Sequence, residues 1–176
     1  MLWQSRKMQW PDPEPISSER LLLEPLSVTH APAMVEVLAD LALYEYTGGE
    51  PPSLDVLRER YAVHTRGQSS DGAQWWLNWV VMLRDSREPV GYVQATVEDD
   101  GSELVADIAW VITPRQQRRG IASEATQGMI GWLRSQGVGR FTAYIHPDHL
   151  ASMGVARNQA LHPTSVERDG EIRWEL

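Results

Sequence analysis

The feature that most constrains this chain is a junction between a predicted strand and a predicted helix in its second half. The apolar run 104–112 reads LVADIAWVI and predicts a buried strand. Apolar residues then recur at helical spacing and predict a helix with one buried side: Ile121, Ala125, Met129 and Leu133. A buried strand that leads into an amphipathic helix is typical of a layered α/β domain.

The residues between this strand and this helix suit a bulky anion. The start of a helix leaves its first N–H groups unpaired, and the helix dipole makes that end positive. Gly120 has no Cβ that would keep an anion away from the backbone. Arg115, Arg118 and Arg119 add positive charge nearby. The sequence therefore predicts an anion-binding loop, most naturally for a pyrophosphate.

The same loop resembles a known motif. Gln117, Gly120 and Ala122 occupy the defining positions of the Gln/Arg-x-x-Gly-x-Gly/Ala motif that binds acyl-CoA in the GNAT superfamily of N-acetyltransferases. Other segments resemble its branch of ribosomal-protein N-terminal acetyltransferases: residues 19–26, Ser123-Glu124-Ala125, and 146–152, which is similar to a Pro-x-Asn-x-x-Ser segment. The resemblance covers about residues 19–176.

The resemblance implies acetyl-CoA as the cofactor and a primary amine as the acceptor, either a protein N-terminus or a small molecule. It implies that these residues bind the cofactor: Ile112, Gln117, Arg118, Arg119, Gly120, Ile121, Ala122, Ser123, His149 and Ser152. It also implies that a backbone N–H of β-strand residues polarises the thioester carbonyl, and Val111 is the expected donor. Because no tyrosine lies between Asp148 and Leu176 to act as an acid, a catalytically weak or inactive CoA-binding module is the alternative.

Asp107 is the candidate catalytic base. It interrupts an apolar strand, where an unpaired carboxylate would be costly to bury. Burial would raise its pKa and make it a better base, whereas a backbone amide or an arginine could also satisfy it structurally. Some GNAT enzymes place a catalytic glutamate at the equivalent strand position. Ser152 is expected to hydrogen-bond the leaving sulfur, unless it bonds its own helix instead.

The acceptor amine is expected to contact Tyr46, Glu50, Trp79 and Asp107. Tyr46 and Glu50 lie in the region that forms the acceptor rim in the family. The run 75–79 reads WWLNW, so Trp79 and Trp76 point to opposite faces of a strand. This run predicts either core packing or an aromatic wall beside the acceptor.

Composition excludes several other classes of function. The chain has no cysteine, so disulfides, thiolate metal sites and a cysteinyl acyl-enzyme are excluded, and its histidines show no metal-ligand spacing. A formal net charge of −8 disfavours binding to nucleic acid or to an anionic membrane. No apolar run approaches the ~20 residues that span a bilayer, and no secretory signal is evident. A cytoplasmic protein, monomeric or homodimeric, is expected.

The predicted fold is α/β (α+β layered), with a mixed, mostly antiparallel sheet of six to seven strands and about four helices on both faces. Residues 1–17 are predicted to be a tail or arm, and residues 18–176 a single domain. The predicted strands are 21–25, 75–83, 90–97, 103–112, 141–145, 163–168 and 171–176. The predicted helices are about 28–43, one capped by Ser53, 120–136 and 150–159.

Overall fold

A computed structural model describes residues 10–176 of the chain. Its strands are β1 (Ile16–Ser17), β2 (Leu21–Pro25), β3 (Gln74–Leu83), β4 (Pro89–Asp99), β5 (Leu104–Ile112), β6 (Val138–Ile145), β7 (His162–Arg168) and β8 (Glu171–Glu175). Its α-helices are α1 (Ala31–Val37), α2 (Leu54–His64), α3 (Ile121–Ser135) and α4 (Leu150–Asn158). Within this part of the chain, no helix is long and apolar enough to cross a membrane.

The strands form a single sheet of eight, in the order β1-β2-β3-β4-β5-β6-β8-β7. Neighbouring strands are antiparallel except for β5 and β6, which are parallel. The β5–β6 pairing begins at Leu104 and Val138 and ends at Asp107 and Thr142. Beyond those two residues the strands diverge, and we call this point the fork. One edge of β5 from Ile108 to Ile112 therefore has no strand partner among the described residues.

The sheet separates two apolar layers. Helices α3 and α4 cover one face, where residues such as Met129, Leu133 and Ala156 are buried. Helix α3 packs on β4, β5 and β6, and α4 packs on β6 and on α3. Helices α1 and α2 cover part of the other face, where Met34 and Leu57 pack near Val80. The expected mixed sheet with helices on both faces is confirmed. The sheet has one strand more than expected because Ile16–Ser17 pairs with β2.

The first predicted helix, 28–43, is wrong in its extent. The structure divides it into a 3₁₀ turn at Val28–His30, the short helix α1, and a second 3₁₀ turn at Leu41–Tyr44. The break occurs because Asp40 adopts an extended conformation and its carboxylate accepts a hydrogen bond from the N–H of Ala42, at 2.9 Å. Such a cap begins a new turn rather than continuing the old one.

The described part of the N-terminal segment lies against the sheet. The Trp10 ring stacks on the Trp75 ring with centroids 5.2 Å apart and planes at 14°. The indole N–H of Trp79 donates to the carbonyl of Glu14 at 2.9 Å. Residues 1–9, the first part of the predicted tail, lie outside the described residues.

Candidate active site

The predicted anion-binding loop has an unusual backbone. After β5, a 3₁₀ turn at Pro114–Gln116 leads to Arg118 and Gly120, whose φ angles are +61° and +75°. Gly120 is the residue that precedes α3, and glycine populates this left-handed region at little cost. The side-chain amide of Gln117 donates to the carbonyl of Ile112 at 2.9 Å, which closes the loop onto the end of β5. We call residues 117–122 the cradle.

The surface above Gly120 is open. A Cβ placed on Gly120 would meet only the Arg20 guanidinium nitrogen Nη2, at 3.4 Å. Arg115, Arg118 and Arg119 are all exposed around it. The first N–H groups of α3 and these cations therefore fit a bulky phosphate group.

The remaining expected cofactor residues mainly shape the cradle. Ile121 is buried in the core, with 4% of its surface exposed, and Ala122 packs against the same core. The Ser123 hydroxyl accepts a hydrogen bond from Asn158 at 2.9 Å, and its carbonyl accepts one from Gln159 at 3.1 Å. Ser123 thereby ties the first turn of α3 to the end of α4.

Asp107 lies at the fork, on the sheet face that α1 and α2 partly cover. Its two carboxylate oxygens lie 3.5 Å from the Thr142 hydroxyl and 3.5 Å from Arg168 Nη2. Burial raises the pKa of Asp107 above its usual range, and the nearby Arg168 only partly offsets this effect. With 40% of its side chain exposed, the carboxylate can still exchange a proton with a bound group.

The sequence did not predict that Arg168 and Thr142 would be the neighbours of the Asp107 carboxylate. Arg168 comes from β7, and its guanidinium carbon lies 3.7 Å from the centre of the Tyr144 ring. Thr142 is opposite Asp107 in the parallel pair. Alternation along β6 could have placed Thr142 and Tyr144 on one face, but the pairing of β5 with β6 has no short-range signal.

The register of β4 and β5 does not favour Val111 as the backbone donor. The N–H of Thr113 donates to the carbonyl of Val90 on β4, at 2.8 Å. Backbone groups alternate between the two edges of an antiparallel strand, so the N–H of Val111 also points toward β4. The N–H groups on the open edge are those of Trp110 and Ile112. If a backbone N–H of β5 acts as the expected donor, Trp110 or Ile112 fits that role better than Val111.

Tyr46 and the start of α4 come together. The Tyr46 ring stacks on the His149 ring with centroids 4.5 Å apart and planes at 17°, and the His146 ring is 5.4 Å away. The Ser152 hydroxyl lies 3.4 Å from His149 Nε2. Burial lowers the pKa of His149, and the nearby His146 lowers it further, which favours a neutral imidazole. The expected acceptor residue Tyr46 thus contacts an expected cofactor residue, while Glu50 is exposed on the same loop.

The expectation that Trp79 contacts the acceptor is not supported by the structure. Trp79 is fully buried and packs edge-on against Trp132 of α3, with ring centroids 5.3 Å apart. It therefore faces α3, on the opposite side of the sheet from Asp107. Trp76, three residues earlier on β3, faces the same side of the sheet as Asp107.

A family profile described as acetyltransferase (GNAT) domain matches residues 20–160. None of the curated proteins compared with the chain matches it. Several solved structures share its fold at low sequence identity. An acetyltransferase (GNAT family) from Bacillus anthracis is 18% identical, with a TM-score of 0.73 over 93% of this chain and 98% of that chain.

Two further structures are ribosomal L7/L12 acetyltransferases. A ribosomal L7/L12 alpha-N-protein acetyltransferase in complex with coenzyme A is 18% identical, with a TM-score of 0.74 over 93% of this chain and 97% of that chain. An acetyl transferase from Salmonella typhimurium, which modifies the N-terminal serine of L7/L12, is 18% identical with a TM-score of 0.71 over 93% and 98%. At this identity the likeness concerns the fold.

Proposed function

Because the chain belongs to the GNAT family of acetyltransferases, we propose that it transfers an acetyl group from acetyl-CoA directly to a primary amine. The observation that carries the proposal is the layout of β5. Asp107 stands at the fork at one end of the open edge, and Ile112 joins the cradle at the other. Five residues of strand span about 17 Å at roughly 3.3 Å per residue, which leaves room for an extended molecule between them.

The residues of the cradle fit the phosphate end of the cofactor. The first N–H groups of α3, the open surface at Gly120 and the exposed arginines would hold the pyrophosphate. The N–H groups of Trp110 and Ile112 on the open edge would hold the rest of the molecule along β5. When bound, acetyl-CoA supplies a thioester that is an activated acetyl donor.

Asp107 would take a proton from the acceptor. An ammonium must lose a proton before its nitrogen can attack, and a carboxylate with a raised pKa is suited to accept it. The Ser152 hydroxyl and His149 would act near the leaving sulfur. A thiol has an ordinary pKa of about 8.5, so its thiolate leaves at neutral pH without a strong acid. The sequence has no cysteine, so the transfer does not pass through a cysteinyl enzyme.

The alternative is a protein of this fold that binds CoA without turnover. It draws its support from the absence of a tyrosine between Asp148 and Leu176. Incubation of the protein with acetyl-CoA and a panel of primary amines, with free thiol measured over time, separates the two. We expect release of thiol that depends on one class of amine, with an acetylated product of matching mass. Tight binding of CoA by calorimetry with no amine-dependent thiol would establish the alternative.

A further inference from the structure

A cavity lies beside Asp107, between the last turn of α2 and the sheet. Its volume is about 180 Å³. It is lined by Val63, His64, Trp76, Asn78, Gln94, Ala95 and Thr96. We call it the α2 groove. None of the residues expected from the sequence to bind the acceptor lines it, so it extends the site into a different part of the sheet.

The floor of the α2 groove is a polar patch continuous with Asp107. Asn78 on β3 is directly opposite Gln94 on β4, and Thr96 on β4 is directly opposite Asp107 on β5. Side chains that are directly opposite on neighbouring strands have Cβ atoms about 5 Å apart. The two amides therefore form one row, Thr96 and Asp107 form the next, and Asp107 lies diagonally across from Gln94 on the same face.

The amides of Asn78 and Gln94 make no side-chain hydrogen bond within residues 10–176. Nearby polar groups on the same face do have partners, since Gln74 donates to Glu98 and the Trp76 indole donates to Gln74. Asn78 and Gln94 are both partly buried. Neither amide is fully enclosed, so both are open to a ligand in the groove that would supply hydrogen-bond partners.

The charge of the α2 groove restricts that ligand. No carboxylate lines it. His64 is partly buried, and burial together with the Arg60 charge lowers its pKa, which favours a neutral ring. The carboxylate beside the groove, Asp107, already faces Arg168. The carboxylate of Glu98, on the same face, accepts a hydrogen bond from Gln74 and does not line the groove. A polyamine or an amino sugar with several ammonium groups finds no second anion in this lining, whereas a single amine followed by neutral polar groups fits.

On the basis of the proposed function, we propose that Asn78 and Gln94 bind the first main-chain amides of a peptide whose N-terminal amine lies at Asp107. A carboxamide offers one acceptor and two donors, which matches the C=O and N–H of a peptide group. Two strand spacings and an offset along the strands separate Asp107 from Asn78 by roughly 10 to 12 Å. An extended peptide covers at most about 3.6 Å per residue, so its first three residues reach Asn78.

The test compares three acceptors and three variants. The acceptors are trialanine amide, propylamine and spermidine, each with acetyl-CoA. The variants are Asn78→Leu and Gln94→Leu, with Gln136→Leu at the far end of α3 as the matched control. Each groove variant is expected to raise KM for trialanine amide about tenfold, the effect of one lost neutral hydrogen bond. The ratio of kcat/KM for trialanine amide to that for propylamine falls with it, and the control leaves both unchanged.

Titration of trialanine amide into the CoA-saturated protein separates this proposal from the proposed function. If the affinity for trialanine amide weakens in Asn78→Leu and Gln94→Leu but no amine is turned over, peptide binding in the α2 groove is supported and acetyl transfer is overturned. If the protein turns over amines but the ratio of kcat/KM for trialanine amide to that for propylamine is unchanged in the variants, or if it prefers spermidine, peptide binding in the α2 groove is overturned and acetyl transfer is supported. Absence of both peptide binding and turnover overturns the two together. Thermal unfolding shows whether each variant is folded. If one of the two groove variants does not fold, the other alone is sufficient for the test.

Discussion

Arg20 and Glu124 join the start of the sheet to the first turn of α3. Arg20 Nε and Nη2 lie 2.7 Å and 2.6 Å from Oε2 of Glu124, while Oε1 accepts hydrogen bonds from the Ser18 hydroxyl and the Arg20 N–H. Arg20 Nη1 also donates to the carbonyl of Arg119 at 2.8 Å. One carboxylate thus holds the arginine that fixes the peptide group before Gly120. The shape of the cradle depends on a residue about a hundred positions earlier in the chain.

We expect Glu124→Gln to destabilise the protein by about 1–2 kcal/mol at pH 7, because an amide accepts these charge-assisted hydrogen bonds poorly. Burial alone would raise the pKa of Glu124, but the hydrogen bonds from Ser18 and Arg20 outweigh it, and the pKa lies below its ordinary value of 4.5. A depressed pKa contributes stability above pH 4.5 that is lost as the pH falls through the folded-state value. Urea unfolding at pH 7 and pH 4 measures this effect.

The control for Glu124→Gln is Glu59→Gln, at an exposed position of α2. Its free energy of unfolding should match that of the wild type at both pH values. The difference between Glu124→Gln and the wild type should shrink at pH 4. An equal loss of stability at both pH values would show that the carboxylate charge does not hold the cradle.

Gly120 and Gly137 flank α3 and allow a matched comparison. Both have positive φ, +75° and +92°, and neither would bring a Cβ closer than 3.4 Å to another atom. Alanine at either position should therefore cost a similar amount, about 1–2 kcal/mol. Only Gly120→Ala places a methyl group in the cradle, so it alone should weaken CoA binding, by more than tenfold in calorimetry. Equal CoA affinity in the two variants would show that the phosphate does not bind at this loop.

Local patterns in the sequence were sufficient to predict α3 and the position of the loop before it. The apolar spacing from Ile121 to Leu133 and the glycines at 120 and 137 correctly predicted where the helix begins and ends, because these signals act over a few residues. Asp107 was chosen as the candidate base for a similar reason, since a carboxylate in an apolar strand is conspicuous, and its role stays a prediction. The first helix was overestimated because the cap at Asp40 resembles any other polar residue of a helix surface.

The rest of the site depends on contacts between distant parts of the chain. Alternation along β3 separates Trp76 from Trp79, but it does not say which face α3 will cover. The direction of the Val111 N–H depends on which strand lies on each side of β5, and side-chain letters carry no such information. Arg168 reaches Asp107 from 61 positions away. The order and register of the strands, rather than residue type, decide which face Trp79 lies on, where the Val111 N–H points and how Arg168 reaches Asp107.

Asp107→Asn should lower turnover by about 10²-fold, as expected for a lost general base. It should not lower thermal stability at pH 7. The raised pKa of Asp107 means that the folded state holds the charged form poorly, so the stability linked to protonation is present at low pH and lost as the pH rises through the folded-state pKa. Steady-state kinetics from pH 5 to 9 and thermal unfolding measure the two effects.

The control for Asp107→Asn is Glu98→Gln, at an exposed end of β4. Glu98→Gln should keep the wild-type turnover. The wild-type rate should fall at acid pH as Asp107 becomes protonated, and this limb of the profile should disappear in Asp107→Asn. A variant with wild-type turnover and an unchanged pH profile would place the base elsewhere, and Glu103 would be the next carboxylate to test.

Gly91 permits the close approach of β4 to the last residues of β5. It is buried, and a Cβ there would overlap the carbonyl oxygen of Val111 and lie 2.9 Å from Ile112 Cα. These are backbone atoms, so no side-chain rotation can relieve the overlap. Gly91→Ala should therefore cost about 1–3 kcal/mol in urea unfolding, the usual range for overpacking. Because the Ile112 carbonyl anchors Gln117, CoA affinity should fall as well.

Gly131→Ala is the control for Gly91→Ala, because it adds the same methyl group at an exposed position of α3 with no atom within 4 Å. Alanine in a helix interior is better than glycine, so this variant should gain about 0.5–1 kcal/mol and keep its CoA affinity. Opposite signs for the two variants would show that backbone contact, not glycine flexibility, is what Gly91 provides. If Gly91→Ala kept both wild-type stability and CoA affinity, β5 could shift without consequence, and its open edge would not be the rigid support on which the proposed transfer depends.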